Sequence, residues 1–393
     1  MPTSRSGLGF LGAAFLAGRR LRVRRPAIRI PGRIAALPTR PFRAIILAVA
    51  GLLALDGLLF RTGLYTSILE PDSSTGVFEL ILRREQQAQP WYGPNLVVTL
   101  GDSRFAYYPR VANEQKATTG FAFRHAGVAG TDARAWYYML RDLDPARAEY
   151  RAIVISVDDY DDEDGAYDIG DDLATLHYVA ARLRFSDVIP FALSFENPSA
   201  RWQAFRGSLL KGIVFQRDIL AFLTHPAKRL ADIALDAGGF EEWTYGFVDT
   251  DRNVVGLKID WTNFTATVPP GNEELRDQMD RFVLYHPKPQ TGKRAAFRRK
   301  WFGQLLDRYR GTPTKVVFVR LPRGPIPRPE NLVQKKSSSI REFAARPGVL
   351  VADEHAFDSL ETPELFKDAF HLNNAGCAQL SVRLAREVGK LLR

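Results

Sequence analysis

The stretch Asn95-Leu-Val-Val-Thr-Leu100, closed by Gly101-Asp102-Ser103-Arg104, decides the fold. A short run of apolar and β-branched residues, cut off by a glycine, reads as a strand buried on both faces. That is the habit of parallel sheets; a half-exposed antiparallel strand alternates apolar with polar. The same signature recurs in Ala152-Ile-Val-Ile-Ser-Val157, Lys315-Val-Val-Phe-Val-Arg-Leu321 and Val349-Leu-Val-Ala352. Helical segments separate these runs. They are Thr75 to Gln89 (ended by Pro90), Thr131 to Leu143 (with Thr131 or Asp132 as N-cap), and Lys293 to Tyr309. Asn374 to Leu392 closes the chain, with Leu380, Val382, Leu384, Val388 and Leu391 along its apolar side. Strands alternating with helices predict an α/β fold with a central parallel sheet covered on both faces. Residues 160–290 break the rhythm and read as one long insertion between two core strands. It holds helices near Asp172–Leu183 and Leu220–Leu235 and a Trp/Gly/Asn-rich stretch from Gly238 to Asn272. Pro322 to Pro329 is a loop.

With 393 residues, 46% of them apolar and 25% charged, the chain can bury a sizeable core. Its single cysteine, Cys377, excludes an intrachain disulfide and a cysteine-based zinc site. The net charge of +10 suggests a nucleic-acid binder until its distribution is examined. Ten arginines lie in residues 1–43 without one lysine or acid, and the remainder holds 44 basic and 44 acidic residues. A neutral body gives no reason to expect a nucleic-acid partner.

Directly after the basic tail comes Ala44 to Phe60, 17 residues with one charge, Asp56. At about 1.5 Å per residue these reach roughly 25 Å, and Thr62 to Leu69 extend the run if Arg61 snorkels. The reading is an uncleaved transmembrane anchor over 44–64. A buried core helix and a cleaved signal peptide are the alternatives. The flanking arginines place residues 1–43 in the cytoplasm and the rest of the chain outside it, as for a bacterial inner-membrane protein with a periplasmic or extracytoplasmic body. Asp56 is a cost in such a helix, smaller near its end than at its centre. A linker helix is expected over 65–90 and the main domain over 91–393. Leu8 to Gly18 is too short to span and is expected on the membrane surface.

Two motifs carry chemistry. Ser103 follows a strand of the expected parallel sheet, so it lies at the carboxyl edge, where such sheets place their sites. Near a helix start its N–H can face a developing oxyanion, although Gly-Asp-Ser alone reads equally as a helix cap. Asp368-Ala-Phe-His371 lies near the C-terminus. An aspartate three residues before a histidine can orient the imidazole, which can then take a proton from a serine hydroxyl.

Taken together, Gly-Asp-Ser on the first strand and Asp-x-x-His before the last helix resemble the SGNH or GDSL hydrolase superfamily. Gly127-Val-Ala-Gly130 resembles its second block. The resemblance covers about residues 90–157 and 315–393. It implies a three-layer α/β/α sandwich of flavodoxin type, with Ser103 as nucleophile, His371 as base and Asp368 as the orienting residue. It also implies an oxyanion hole from the N–H groups of Ser103 and Gly130. One block departs. The family's oxyanion-hole asparagine is replaced, by position, with Asp158, which donates only if protonated. Ser156, Arg104 or His125 are possible substitutes, and Asp102 and Arg104 are candidate substrate contacts. The expected activity is a tethered serine esterase or O-acyltransferase acting on acyl, foremost acetyl, esters of an envelope or exopolysaccharide. A multi-spanning acyltransferase is a possible partner, and no cofactor or metal is called for. The alternatives are a non-catalytic glycan-binding or envelope-assembly protein on a decayed scaffold, or a lipid esterase.

Other clusters read as structural. Asp158, Asp159, Asp161, Asp162, Glu163 and Asp164 have the oxygen ligands for a divalent cation but not the spacing of a calcium loop, so a solvated acidic loop is expected, with His177, Asp171 and Asp172 nearby. Trp202, Trp243, Trp261 and Trp301 are read as core packing before sugar stacking. Arg298, Arg299 and Lys300 are expected on the solvated face of a helix.

Overall fold

The computed structural model describes residues 39–163, 170–239, 251–284, 291–329 and 337–393. Leu8–Gly18, most of the basic tail, Asp164 and Trp243 lie outside them. In chain order the strands are β1 (Leu96–Leu100), β2 (Ala122–His125), β3 (Ala152–Val157), β4 (Lys258–Asp260), β5 (Thr265–Thr267), β6 (Lys315–Arg320) and β7 (Val349–Val351). Five form one parallel sheet in the order β2-β1-β3-β6-β7, and β4 pairs with β5 in a separate antiparallel hairpin. The sheet order doubles back at β1, and a crevice at such a switch point, beyond the carboxyl ends of the strands, is where open α/β sheets bind ligands.

Four of the five sheet strands match the apolar runs of the sequence. The fifth, β2, is Ala122-Phe-Arg-His125, whose two polar residues hide it. Arg124 is tolerated there because Glu85 receives its guanidinium at 3.0 and 2.8 Å, and Thr99 and Tyr107 both hydrogen-bond its carbonyl.

Successive residues of β1 feed two different cores, as a two-sided sheet requires. Val98 and Leu100 join Ile153, Ile155 and Phe318 under the Ser74–Ala88, Ala133–Leu143 and Lys293–Tyr309 helices. Val97 joins Val154, Val317 and Val319 under the Asn374–Leu391 helix. The caps are local. Asp132 receives the N–H groups of Arg134 and Ala135, and Asn373 receives that of Gly376. The expected linker over 65–90 is part of the body, since Phe78, Ile81 and Leu82 are buried in the first core.

The expected insertion divides between both cores. Leu176, Val179, Leu183, Phe191 and Phe195 enter the first, whereas Val254, Leu257, Leu275 and Met279 enter the second. The helix expected at Leu220–Leu235 is two, Gln216–Thr224 and Pro226–Gly239. Pro226 disfavours helical backbone at His225 and starts the next helix in its first position.

Residues 1–50 and 51–393 form two compact units. The Thr39–Arg61 helix has 23 residues, about 35 Å, and Phe42–Ser67 is long and apolar enough to cross a membrane. A buried core helix does not fit, because Leu52, Leu55 and Leu58 are each more than half exposed. Asp56 and Phe60, near the C-terminal end, are the buried side chains among the described residues of this helix. The Asp56 carboxylate accepts the backbone N–H groups of Lys211 (3.1 Å) and Gly212 (2.8 Å), which offsets part of the cost of a charge in an apolar helix.

Candidate active site

The loop after β1 does not enter a helix at once. Asp102 to Phe105 make a turn closed by Phe105 N–H to Asp102 O (3.1 Å), and the next helix, Pro109–Glu114, begins six residues after Ser103. Neither the helix-cap reading of Gly-Asp-Ser nor the helix-start argument for the Ser103 N–H therefore holds. Gly101 is required by close approach, since a Cβ there would lie 2.2 Å from Ser156 Oγ and 2.6 Å from Phe105 Cβ. That contact pins the strand end from which Ser103 projects.

The second half of the site is a closed loop. Phe366 and Leu372 bridge at its base, and Lys367 N–H donates to His371 O at 3.0 Å. Inside it, Asp368 Oδ1 accepts the N–H groups of Phe370 (3.0 Å) and His371 (2.8 Å), an Asx-type turn that brings residues 368 and 371 together. Asp368 Oδ2 lies 2.8 Å from His371 Nδ1. The other ring nitrogen, Nε2, lies 2.9 Å from Ser103 Oγ, across 268 positions of sequence. The Phe370 ring leans on the imidazole with centroids 4.3 Å apart. Burial pushes the Asp368 carboxyl up, but the hydrogen bond and charge of His371 and the two backbone N–H groups outweigh it and hold the group below its usual value.

The loop after β2 runs beside this strand end. Ala126 N–H donates to Thr99 O at 2.9 Å and Val128 N–H to Gly101 O at 3.2 Å. Gly130 follows with φ +71°, a left-handed conformation suited to glycine, and a Cβ there would lie 2.7 Å from the Tyr178 hydroxyl. His125, one of the possible substitute donors, is a core residue. Its Nδ1 meets Thr99 Oγ1 at 2.7 Å, the rings of Phe105 and Tyr107 pack on it, and burial together with the charges of Arg84 and Arg124 pushes its pKa down to about 3. Ser156 is buried under Gly101.

Asp158 is neither an oxyanion donor nor part of a solvated loop. Its Oδ1 meets Arg294 and lies 3.0 Å from Arg298 Nη2, and its Oδ2 lies 3.5 Å from Arg104 Nη1. Burial would raise its pKa, but Arg294, Arg104 and Arg298 hold it well below the ordinary carboxylate value, so it is ionised at neutral pH. An ionised carboxylate only accepts hydrogen bonds. Asp161 and Asp162 are engaged as well. Asp162 is buried against Arg298 (3.3 Å) and Ser339 (2.6 and 2.7 Å), and Asp161 pairs with Arg341 at 2.5 Å. Among the described residues no group of three or more His, Cys, Asp or Glu side chains is arranged to hold a metal ion.

Arg298 is correspondingly buried. Burial and the neighbouring Arg294 charge push its pKa down to about 10, and it belongs to this network instead of the solvated helix face expected for it. Arg299 and Lys300 are exposed. Sequence reasoning missed Arg294 and misplaced Arg298. Their spacing of four puts them on one helix face, and that face meets the acidic run at the end of β3. Arg104 bridges the two halves, binding Asp102 at 2.7 Å and Asp158 at 3.5 Å.

Arg104, Asp158, Arg294 and Ala369 line a cleft of about 180 Å³ together with Trp261, Phe282 and Ile326. Trp261 follows β4 and is partly exposed. Trp301 is core, and Trp202 is 61% exposed on another part of the surface. A scan against protein-family models gives no match, and neither does a comparison with curated proteins.

Proposed function

We propose that this chain is a membrane-tethered serine esterase or O-acyltransferase that acts on ester-linked acyl groups, acetyl foremost, of an extracytoplasmic glycan. The observation that carries the reading is the Ser103–His371–Asp368 relay, with hydrogen-bond distances of 2.9 and 2.8 Å at the two imidazole nitrogens. As Ser103 Oγ attacks an ester carbonyl, His371 Nε2 takes its proton. Asp368 holds Nδ1–H and stabilises the imidazolium. The tetrahedral oxyanion is held by the N–H groups that the family resemblance assigns to Ser103 and Gly130. His371 then gives its proton to the leaving sugar oxygen, and the acyl group stays on Ser103. Water or an acceptor hydroxyl, deprotonated by His371, attacks the acyl-serine and restores the start.

The cleft supports a polar substrate. Arginine and carboxylate groups share its lining with a tryptophan and a phenylalanine, a combination that suits a sugar ring better than an acyl chain. A tether suits a polymer made or exported at the membrane. The arginine-rich tail favours a body outside the cytoplasm. The replacement of the family asparagine by Asp158 favours a second reading, a non-catalytic glycan-binding scaffold. Hydrolysis of 4-nitrophenyl acetate by the full-length chain in detergent separates the two. Turnover that falls at least a thousandfold in Ser103→Ala supports the enzyme. Wild-type turnover no greater than that of the alanine variant leaves the scaffold.

A further inference from the structure

The helices after Leu183 carry a set of exposed apolar side chains that the proposed site does not use. Phe185, Ile189, Leu193, Ile213, Leu220 and Leu223 are each between 40% and 69% exposed. Globular surfaces show such residues singly, whereas a cluster marks an interaction face. Their segments gather round the C-terminal part of the apolar helix. The Arg61 guanidinium lies 3.8 Å above the Phe185 ring and donates to Leu183 O at 2.8 Å. Phe60 stacks on Phe215 at 5.4 Å, and Ile219, beside Leu220, packs into the same small core.

Asp56 sets the depth. It precedes the helix end at Arg61 by five residues, about 7–8 Å along the axis, and its carboxylate receives the N–H groups of Lys211 and Gly212. With Arg43 on the cytoplasmic side, a hydrocarbon core about 30 Å thick takes about 20 residues from Ala44 onward and so ends near the helix end at Arg61. The Lys211–Ile213 turn, which meets Asp56, then lies about 7–8 Å inside that edge. The exposed charge of this region is complementary to a lipid surface: Arg184, Arg201, Arg206, Arg217 and Lys228 are exposed against one exposed acid, Glu196, whereas Lys211 and Arg229 are buried and Arg182 pairs with Glu79.

We infer that the face made by these segments lies on the membrane, with its apolar side chains in the interfacial layer and its basic residues against anionic headgroups, so that the body rests on the bilayer. The inference rests on the reading of the apolar helix as a membrane anchor and adds a second lipid contact to it.

The test is collision-accessibility spectroscopy on the full-length chain in mixed phosphatidylcholine–phosphatidylglycerol vesicles. A nitroxide is placed in turn at Leu220→Cys, Leu223→Cys, Leu52→Cys and Lys390→Cys. Cys377 is fully buried, and the unsubstituted chain serves as the labelling blank. The expected result is greater accessibility to oxygen than to a water-soluble nickel chelate at 220, 223 and 52, with the reverse at 390. A lipid-like label at 52 with water-like labels at 220 and 223 overturns the inference and leaves the anchor standing. A water-like label at 52 overturns the anchor reading, and the inference with it.

Discussion

Replacing Asp158 with asparagine restores the residue that the resembled family carries at this position, and the structure predicts that the change harms the protein. The carboxylate is the common anion for Arg294, Arg298 and Arg104, with separations of 3.0 Å to Arg298 and 3.5 Å to Arg104. A neutral amide leaves those guanidiniums facing one another, and its NH₂ group is a further donor in a site that needs an acceptor. Removing one partner of a fully buried pair costs about 3–5 kcal/mol. The Asp158 side chain is 31% exposed, so water screens part of the loss, and about 2–3 kcal/mol is the expected scale. Because 1 kcal/mol moves Tm by about 2–4 °C in bodies of 150–250 residues, and by less in larger ones, a fall of about 3–6 °C follows.

The sign of the pH dependence is determined as well. A carboxyl held below its ordinary value adds stability that is present above about pH 4 and vanishes as pH falls through its lowered value. The Tm gap between wild type and Asp158→Asn is therefore constant from pH 5 to 8 by this account and closes in acid. Differential scanning fluorimetry across pH, with aryl acetate turnover on the same samples, measures both. Restoring an oxyanion donor would raise kcat by about 10²–10³. A rise of that size with Tm unchanged would refute the reasoning and make Asp158 a lost donor instead of an anchor for arginines.

Asp368→Asn keeps an acceptor for the two backbone N–H groups but turns a donor toward His371 Nδ1, so the imidazole takes the wrong tautomer. A drop in kcat of about 10⁴ is expected from pre-steady-state kinetics, with Tm nearly unchanged. Trp261→Ala removes a partly exposed ring from the cleft that Arg104 also lines, and KM for an acetylated xylo-oligosaccharide should rise about tenfold, equivalent to about 1.4 kcal/mol, while kcat/KM for 4-nitrophenyl acetate stays within twofold.

The parts legible in the sequence are those where one physical signal dominates. Val97, Val98, Ile153, Val154, Val316 and Val317 are buried from both sides, and a continuous apolar run announces that without help from distant residues. Pro90 marks the end of the Ser74–Ala88 helix by an equally local signal, whereas the Asn373 cap of the Asn374–Leu391 helix emerges only from the structure. The approach of Ser103 to His371 is an expectation from two short motifs; the Asx-type turn at Asp368 is the local cause of the Asp368–His371 half of it. The rest depended on partners far along the chain. β2 is masked by Arg124, whose burial is compensated by Glu85, 39 positions away. Asp158, Asp161 and Asp162 look solvated until helix residues 136–180 positions further on supply the matching arginines. The insertion reads as an appendage because its apolar residues show no strand period, yet both cores are incomplete without it.

The most direct measurement of the central claim is the site of covalent capture. The full-length chain is treated with a fluorophosphonate, which reacts with an activated serine hydroxyl, and the adduct is located by peptide mass spectrometry. The account predicts one adduct, on Ser103, formed rapidly in wild type and lost in His371→Ala. A Ser103 that stays unmodified, or is modified equally fast without the imidazole, contradicts it.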